Sequence, residues 1–124
     1  MIATTLDTGA LLALERRRQR ALVFLRKAQL DHVPLVVPSV CVAEWWRGRT
    51  DLRERILAAV IVQHTTAELV RSAGEALAAV PTATCLDAIV MATAAQRGGV
   101  LLTSDVDDMT RLQSVFRNVR VLAV

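Results

Sequence analysis

Short apolar runs that alternate with segments of helical period constrain this chain more than any other feature. A strand that must be followed by a helix before the next strand builds a parallel sheet covered by helices. The first run, Ile2 to Leu6, is stopped by Asp7-Thr8-Gly9, after which Ala10, Leu11, Leu12 and Leu14 read as a helix entering a core. Residues 15 to 30 form a second helical segment, with Leu22, Val23, Leu25 and Leu30 on an apolar stripe and Arg16, Arg17, Arg18, Arg20 and Arg26 on a solvated face. Pro34 to Val37, a continuous apolar run between prolines, suits a buried parallel strand. Ser39 then caps a helix that ends near Gly48, and Thr50-Asp51 opens another through Ala59. Val60 to His64 reads as a third strand, Thr66 to Val80 as a helix ended by Pro81, and Asp87 to Arg97 as a helix stopped by Gly98-Gly99. Val100 to Thr103, a helix from Asp107 to Phe116, and a strand from Val119 to Val124 complete the pattern. The expected class is α/β: a three-layer α/β/α sandwich around a mostly parallel five-stranded sheet, with residues 1–124 forming one domain.

At 53% apolar residues, the 124-residue chain can bury a core without disulfides, and disorder of the whole is excluded. Charged residues interrupt every run before the roughly 18 apolar positions of a spanning helix, so no membrane association is expected. The N-terminus shows no basic leader and apolar stretch of a secretory signal, which places the chain in the cytoplasm. Cys41 and Cys85 lie in apolar contexts outside any metal-binding spacing and read as two buried thiols. His32 and His64 lack a neighbouring His or Cys at ligand spacing, which argues against zinc. The net charge of +3 is carried almost wholly by arginine, since Lys27 is the single lysine. Guanidinium groups favour phosphate, although GC-rich coding produces the same bias.

Ligands of an open parallel sheet bind beyond the carboxyl ends of its strands, so acids just after strands carry the functional argument. Asp7 follows the first strand, Asp105 follows the fourth, Asp87 opens the helix leading into the fourth, and Glu44 lies in the helix after the second. Four carboxylates converging on one rim repel one another unless a cation neutralises them. Hard oxygen donors without His or Cys favour Mg²⁺ or Mn²⁺. Taken singly, Asp7, Asp87 and Asp105 also suit helix N-caps, and Asp107 and Asp108 suit a first helical turn.

The ordered fragments Leu6-Asp7-Thr8, Val42-Ala43-Glu44, Leu86-Asp87-Ala88 with Ala92 and Ala94, and Leu102-Thr103-Ser104-Asp105 with Asp108-Met109 resemble a PIN domain. Each is weakly specific alone, but four in this order and spacing form a strong signal from Leu6 to Met109. The short single-domain length is similar to that of the VapC toxins of bacterial toxin–antitoxin pairs. The resemblance implies a doubly wound sandwich and a Mg²⁺- or Mn²⁺-dependent endoribonuclease. Its acidic positions fall on Asp7, Glu44, Asp87 and Asp105, with Asp108, or alternatively Asp107, as a fifth. It also implies an RNA substrate, a homodimer and a cognate VapB-type antitoxin. Thr8, Thr103 and Ser104 match the small hydroxyl residues that flank such a site, or serve as ordinary turn residues.

Arg47, Arg49, Arg53 and Arg55 follow Glu44 closely and are candidates to hold RNA phosphates, with Arg16, Arg17, Arg18 and Arg20 a second group. Of Trp45 and Trp46, facing about 100° apart, at most one enters the core, and the other is expected at a dimer or antitoxin contact. A phosphoacceptor receiver domain has similar length and alternation but fails on residues: Asp7 is not paired with a second acid, and no lysine follows a late strand. A non-catalytic PIN-like module that binds RNA or protein is the remaining alternative.

Overall fold

A computed structural model describes residues 2–124. Five strands, β1 (Ala3–Leu6), β2 (Leu35–Pro38), β3 (Ile61–Gln63), β4 (Gly99–Thr103) and β5 (Val119–Ala123), form one sheet in the order β3-β2-β1-β4-β5. Every pairing is parallel, so the sheet is wholly rather than mostly parallel. Seven helices connect the strands: α1 (Thr8–Glu15), α2 (Gln19–Leu30), α3 (Ser39–Trp45), α4 (Asp51–Ala58), α5 (Ala67–Ala79), α6 (Cys85–Arg97) and α7 (Val106–Gln113). Helix α1 packs with α2, α3 and α4, while α6 packs with α5 and α7, and both α1 and α6 lie on β1 and β4. Two helical groups therefore enclose the sheet.

The order of strands matters for function. From β1 the chain winds outward through β2 to β3, then returns to β4 and winds the other way to β5. The reversal falls between β1 and β4, and in doubly wound sheets the crevice beyond such a switch point is where ligands bind. The central strands are walled by buried Leu6, Val36, Val37, Leu101 and Leu102, with Leu11 and Met91 from the helices closing over them. Removing these side chains from water supplies the main stabilisation of the fold.

Several boundaries depart from the sequence reading for identifiable reasons. Ser39 does not cap α3; Pro38 holds the cap position and the Ser39 hydroxyl faces Thr65 Oγ1 at 3.5 Å. The helix expected from Asp87 begins at Cys85 because Thr84 Oγ1 accepts the Asp87 backbone N–H at 3.1 Å. The last helix starts at Val106, one residue before Asp107, and stops at Gln113, leaving buried Phe116 in the following turn. Gly99, expected only as part of a stop signal, opens β4. Its φ of +100° and the carbonyl of Ala3 standing where a Cβ would be require glycine. Cys41 is buried as expected, whereas Cys85 is exposed on the first turn of α6.

Candidate active site

The carboxyl ends of β1 and β4 run directly into the functional segments. Asp7 caps α1: its Oδ1 accepts the Ala10 N–H at 2.8 Å, and the side chain is buried. Thr8 donates its hydroxyl to Glu44 Oε1 at 2.6 Å, joining the start of α1 to α3. Gly9 leaves room for Ser104, whose Oγ would collide with any Cβ at position 9. Three consecutive residues thus fix one carboxylate, orient a second and admit the loop after β4.

Asp87 does not hold the cap position, which Thr84 fills; it stands in the first turn of α6. Asp105 holds the cap position of α7 but makes no side-chain capping bond, and its own N–H is taken by Thr103 Oγ1 at 2.9 Å. Asp108 lies on the first turn of α7 and pairs with Arg111 at 3.2 Å. Carboxylate oxygens of Asp87, Asp105 and Asp108 lie within 4.8 Å of one another. A cleft of about 170 Å³ includes Asp7, Glu44, Asp87, Asp105, Cys41 and Ser104 in its wall.

Crowding leaves an electrostatic mark. Burial chiefly raises the Asp7 carboxyl above its ordinary value, Asp87 adds repulsion, and hydrogen bonds from Thr103 and the Ala10 and Gly9 amides oppose the rise. Asp87 is raised by burial and then by Asp108 and Glu44, against the Thr84 hydrogen bond. Asp105 is raised first by sharing a hydrogen bond with Asp108, then by slight burial and by the charges of Asp108, Asp87 and Asp7. Each of these groups is held at a cost in the ionised state, which a nearby cation removes. Burial, with the charges of Asp7 and Glu44, pushes the Cys41 thiol up to about 12, so it stays neutral and is no nucleophile.

The structure therefore brings Asp7, Glu44, Asp87 and Asp105 to one rim and adds Asp108, with Thr8, Thr103 and Ser104 around them. Asp107 is exposed and does not join the three-carboxylate group. Arg53 departs from its expected place among phosphate-binding arginines. It donates from Nε to Glu15 Oε1 at 2.7 Å and from Nη1 to the Gly48 carbonyl at 2.9 Å, in a pair only one-fifth exposed. Arg49 lies near Asp51 and Glu54, and Arg47 Nε bonds the Glu44 carbonyl. Trp45 is fully buried, its indole N–H on Glu15 Oε2 at 3.2 Å, while Trp46 is half-buried against it edge-on.

The PIN domain family matches residues 4–114, which covers nearly all of the chain and both central strands with their acids. The chain belongs to the PIN domain family. Two solved structures share the fold of this PIN domain. VapBC2 from Rickettsia felis, bound to a DNA fragment from its promoter, superposes with a TM-score of 0.79 at 14% identity, covering 100% of this chain and 99% of the other. DNA-bound VapBC from Salmonella typhimurium gives 0.69 at 18% identity, with coverage of 99% and 98%. At these identities the likeness is one of fold. No curated protein matches the sequence.

The donor set fits a hard divalent cation. Asp87, Asp105 and Asp108 offer clustered anionic oxygens, no His or Cys competes among that group, and the raised carboxyl groups record uncompensated negative charge. Glu44 is oriented by Thr8 and Asp7 by the α1 amides, so both approach the cluster with fixed geometry.

Proposed function

We propose that this PIN domain is a Mg²⁺- or Mn²⁺-dependent endoribonuclease and the toxin of a VapBC-type pair. The observation that carries the reading is the convergence of Asp87, Asp105 and Asp108 at the switch point beside Asp7 and Glu44. When bound there, the metal supplies a Lewis acid for the phosphodiester and an activated water to attack it. The chain's own part is to hold the carboxylates: Asp87, Asp105 and Asp108 as ligands, Asp7 and Glu44 close enough to share the task. Thr8 fixes the orientation of the exposed Glu44 carboxylate. No protein nucleophile is required, in keeping with the neutral Cys41.

A VapB-type antitoxin as partner is supported by the full-length likeness to two VapBC complexes. A homodimer belongs to the same reading, as does a cytoplasmic address. Among the described residues no helix is long and apolar enough to cross a membrane. Arg47 and Arg49 remain proposed RNA contacts, whereas Arg55 lines the apolar groove that also holds Arg17 and not the acidic cleft.

The test is cleavage of a labelled single-stranded RNA by purified protein in EDTA, Mg²⁺ and Mn²⁺. Cleavage restored by either metal and lost in Asp87→Asn supports the reading. Equal cleavage in thoroughly chelated protein defeats the metal mechanism, and RNA binding without cleavage in either metal leaves a binding module.

A further inference from the structure

The arginines in the turn between α1 and α2 have no place in the site as described, yet their arrangement is not that of a solvated helix face. Arg16, Arg18 and Arg20 line a cleft of about 500 Å³ whose floor includes Leu12. Gly9 and Ser104 belong to this cleft and to the acidic one alike, so the two open into each other. Arg17 turns away to the apolar groove on the far side, its φ of +55° marking the reversal of the chain. Arg16, Arg18, Gln19 and Arg20 thus line the cleft that adjoins the acidic site, while Arg17 lines a different groove.

Among the described residues Arg16, Arg18 and Arg20, like most arginines of the chain, have no carboxylate within ion-pair distance; what sets them apart is that all three line one cleft. Arg16 stands at the C-cap of α1, where the helix dipole favours a cation, but the other two do not serve their helix: Arg18 holds the cap position of α2 without a capping bond and Arg20 stands in its first turn, where the dipole disfavours cations. Three unpaired positive charges around a cleft that runs into a carboxylate cluster call for an anion extended enough to reach from one to the other.

We propose that Arg16, Arg18 and Arg20 form a track for the phosphate backbone of single-stranded RNA, leading it past Ser104 to the carboxylate cluster. The assignment rests on the ribonuclease reading for the identity of the strand. A backbone with regularly spaced phosphates matches a row of guanidinium groups, and the charge of the track offsets the repulsion between RNA and five nearby acids. Base identity plays no part in this contact, so the track sets affinity and register rather than sequence choice.

The experiment measures binding of a short fluorescein-labelled single-stranded RNA in EDTA across a salt series, which needs no catalysis. Arg16→Ala/Arg18→Ala should weaken binding about tenfold near 0.1 M salt and make the slope of log affinity against log salt shallower by about 1.4, the effect of two lost phosphate contacts. Arg26→Ala/Lys27→Ala, further along α2, is the control and should leave the slope unchanged. An unchanged slope in the first variant, or an equal change in the control, overturns the track. Tighter capture of poly-L-glutamate than of RNA through the same arginines assigns the cleft to an acidic protein and also overturns it. Failure of the nuclease reading looks different: no metal-dependent cleavage by wild type, with the salt slope still dependent on Arg16 and Arg18.

Discussion

Thr8 Oγ1 donates to Glu44 Oε1 at 2.6 Å, linking the first turn of the helix after β1 to the helix after β2. The bond spends one Glu44 oxygen on orientation and directs the carboxylate along the rim where Asp87 feels its charge. A hydroxyl in this place sets the orientation of a neighbouring carboxylate.

Thr8→Val, similar in volume but without a donor, should lower metal-dependent RNA cleavage by roughly tenfold or more, the usual effect of losing a group that orients a ligand. Thr8→Ser keeps the hydroxyl and should stay near wild type. Rates for both variants at saturating Mg²⁺, with thermal melts as a fold control, check this. Equal loss in both would assign Thr8 a packing role.

Thr84 and Asp87 share one helical turn but divide its work. In EDTA, Asp87→Asn should be as stable as wild type or more so, because a repelled charge is gone, and it should lose most of the rise in Tm that Mg²⁺ or Mn²⁺ gives. Thr84→Ala should cost about 1 kcal/mol by removing the cap, with the metal response retained. Thermal unfolding of the three proteins with and without metal separates the roles, and an undiminished metal response in Asp87→Asn would remove Asp87 from the ligand set.

The raised Asp87 carboxyl also fixes the sign of a pH effect. In the folded state its value lies above the ordinary 3.8. The stability this contributes is therefore complete below 3.8 and is lost as pH rises through the folded value. In EDTA, the Tm of wild type minus that of Asp87→Asn should fall as pH is raised from about 4 to about 7. A difference that stays flat, or grows, contradicts the crowding of carboxylates at the rim.

Arg53 is a structural residue. Arg53→Ala leaves the Glu15 carboxylate, four-fifths buried, without its charged partner and should cost about 1–3 kcal/mol. The salt slope of RNA binding should not change. Denaturant unfolding and the salt series together check both halves, and a shallower slope would return Arg53 to the RNA surface.

At Gly9 the constraint is space. Gly9→Ala drives a methyl into Ser104 and should destabilise by about 1–3 kcal/mol. Adding Ser104→Gly removes both the hydroxyl and the Cβ that stands 2.9 Å from the new methyl, so the double variant should regain part of the loss. Strict additivity of the two changes would show that they do not meet.

The alternation of strands and helices was readable because each strand is a short continuous apolar run and each helix carries its own period. Asp7 and Asp105 were readable for the same reason, since an acid just after a strand boundary is visible locally, whereas Glu44 and Asp87 lie within helices and took their place from the ordered family motifs. What the sequence could not show depends on distant partners. Arg53 reads as one more arginine in a basic run until Glu15 is found beside it. Asp108, favoured over Asp107 as the fifth acid only through the family resemblance, reads by its own position as a first-turn acid until its carboxylate is found beside those of Asp87 and Asp105. The start of α6 was legible but passed over: the helix was expected from Asp87, yet Thr84 three residues earlier spells the hydroxyl–x–x–acid signature of a helix start.

Asp7 stands just after the first strand to be made and Asp105 and Asp108 beyond the fourth, although β1 and β4 are neighbours in the sheet. Asp87, Asp105 and Asp108 are close in the chain, but they meet Asp7 only through a contact spanning most of the polypeptide, the kind that forms late in folding. A nascent chain on the ribosome accordingly carries Asp7, Glu44 and Asp87 without their counterparts. The acidic rim is complete only after β4 and α7 have left the exit tunnel, so any activity that needs all five acids waits until synthesis is nearly over.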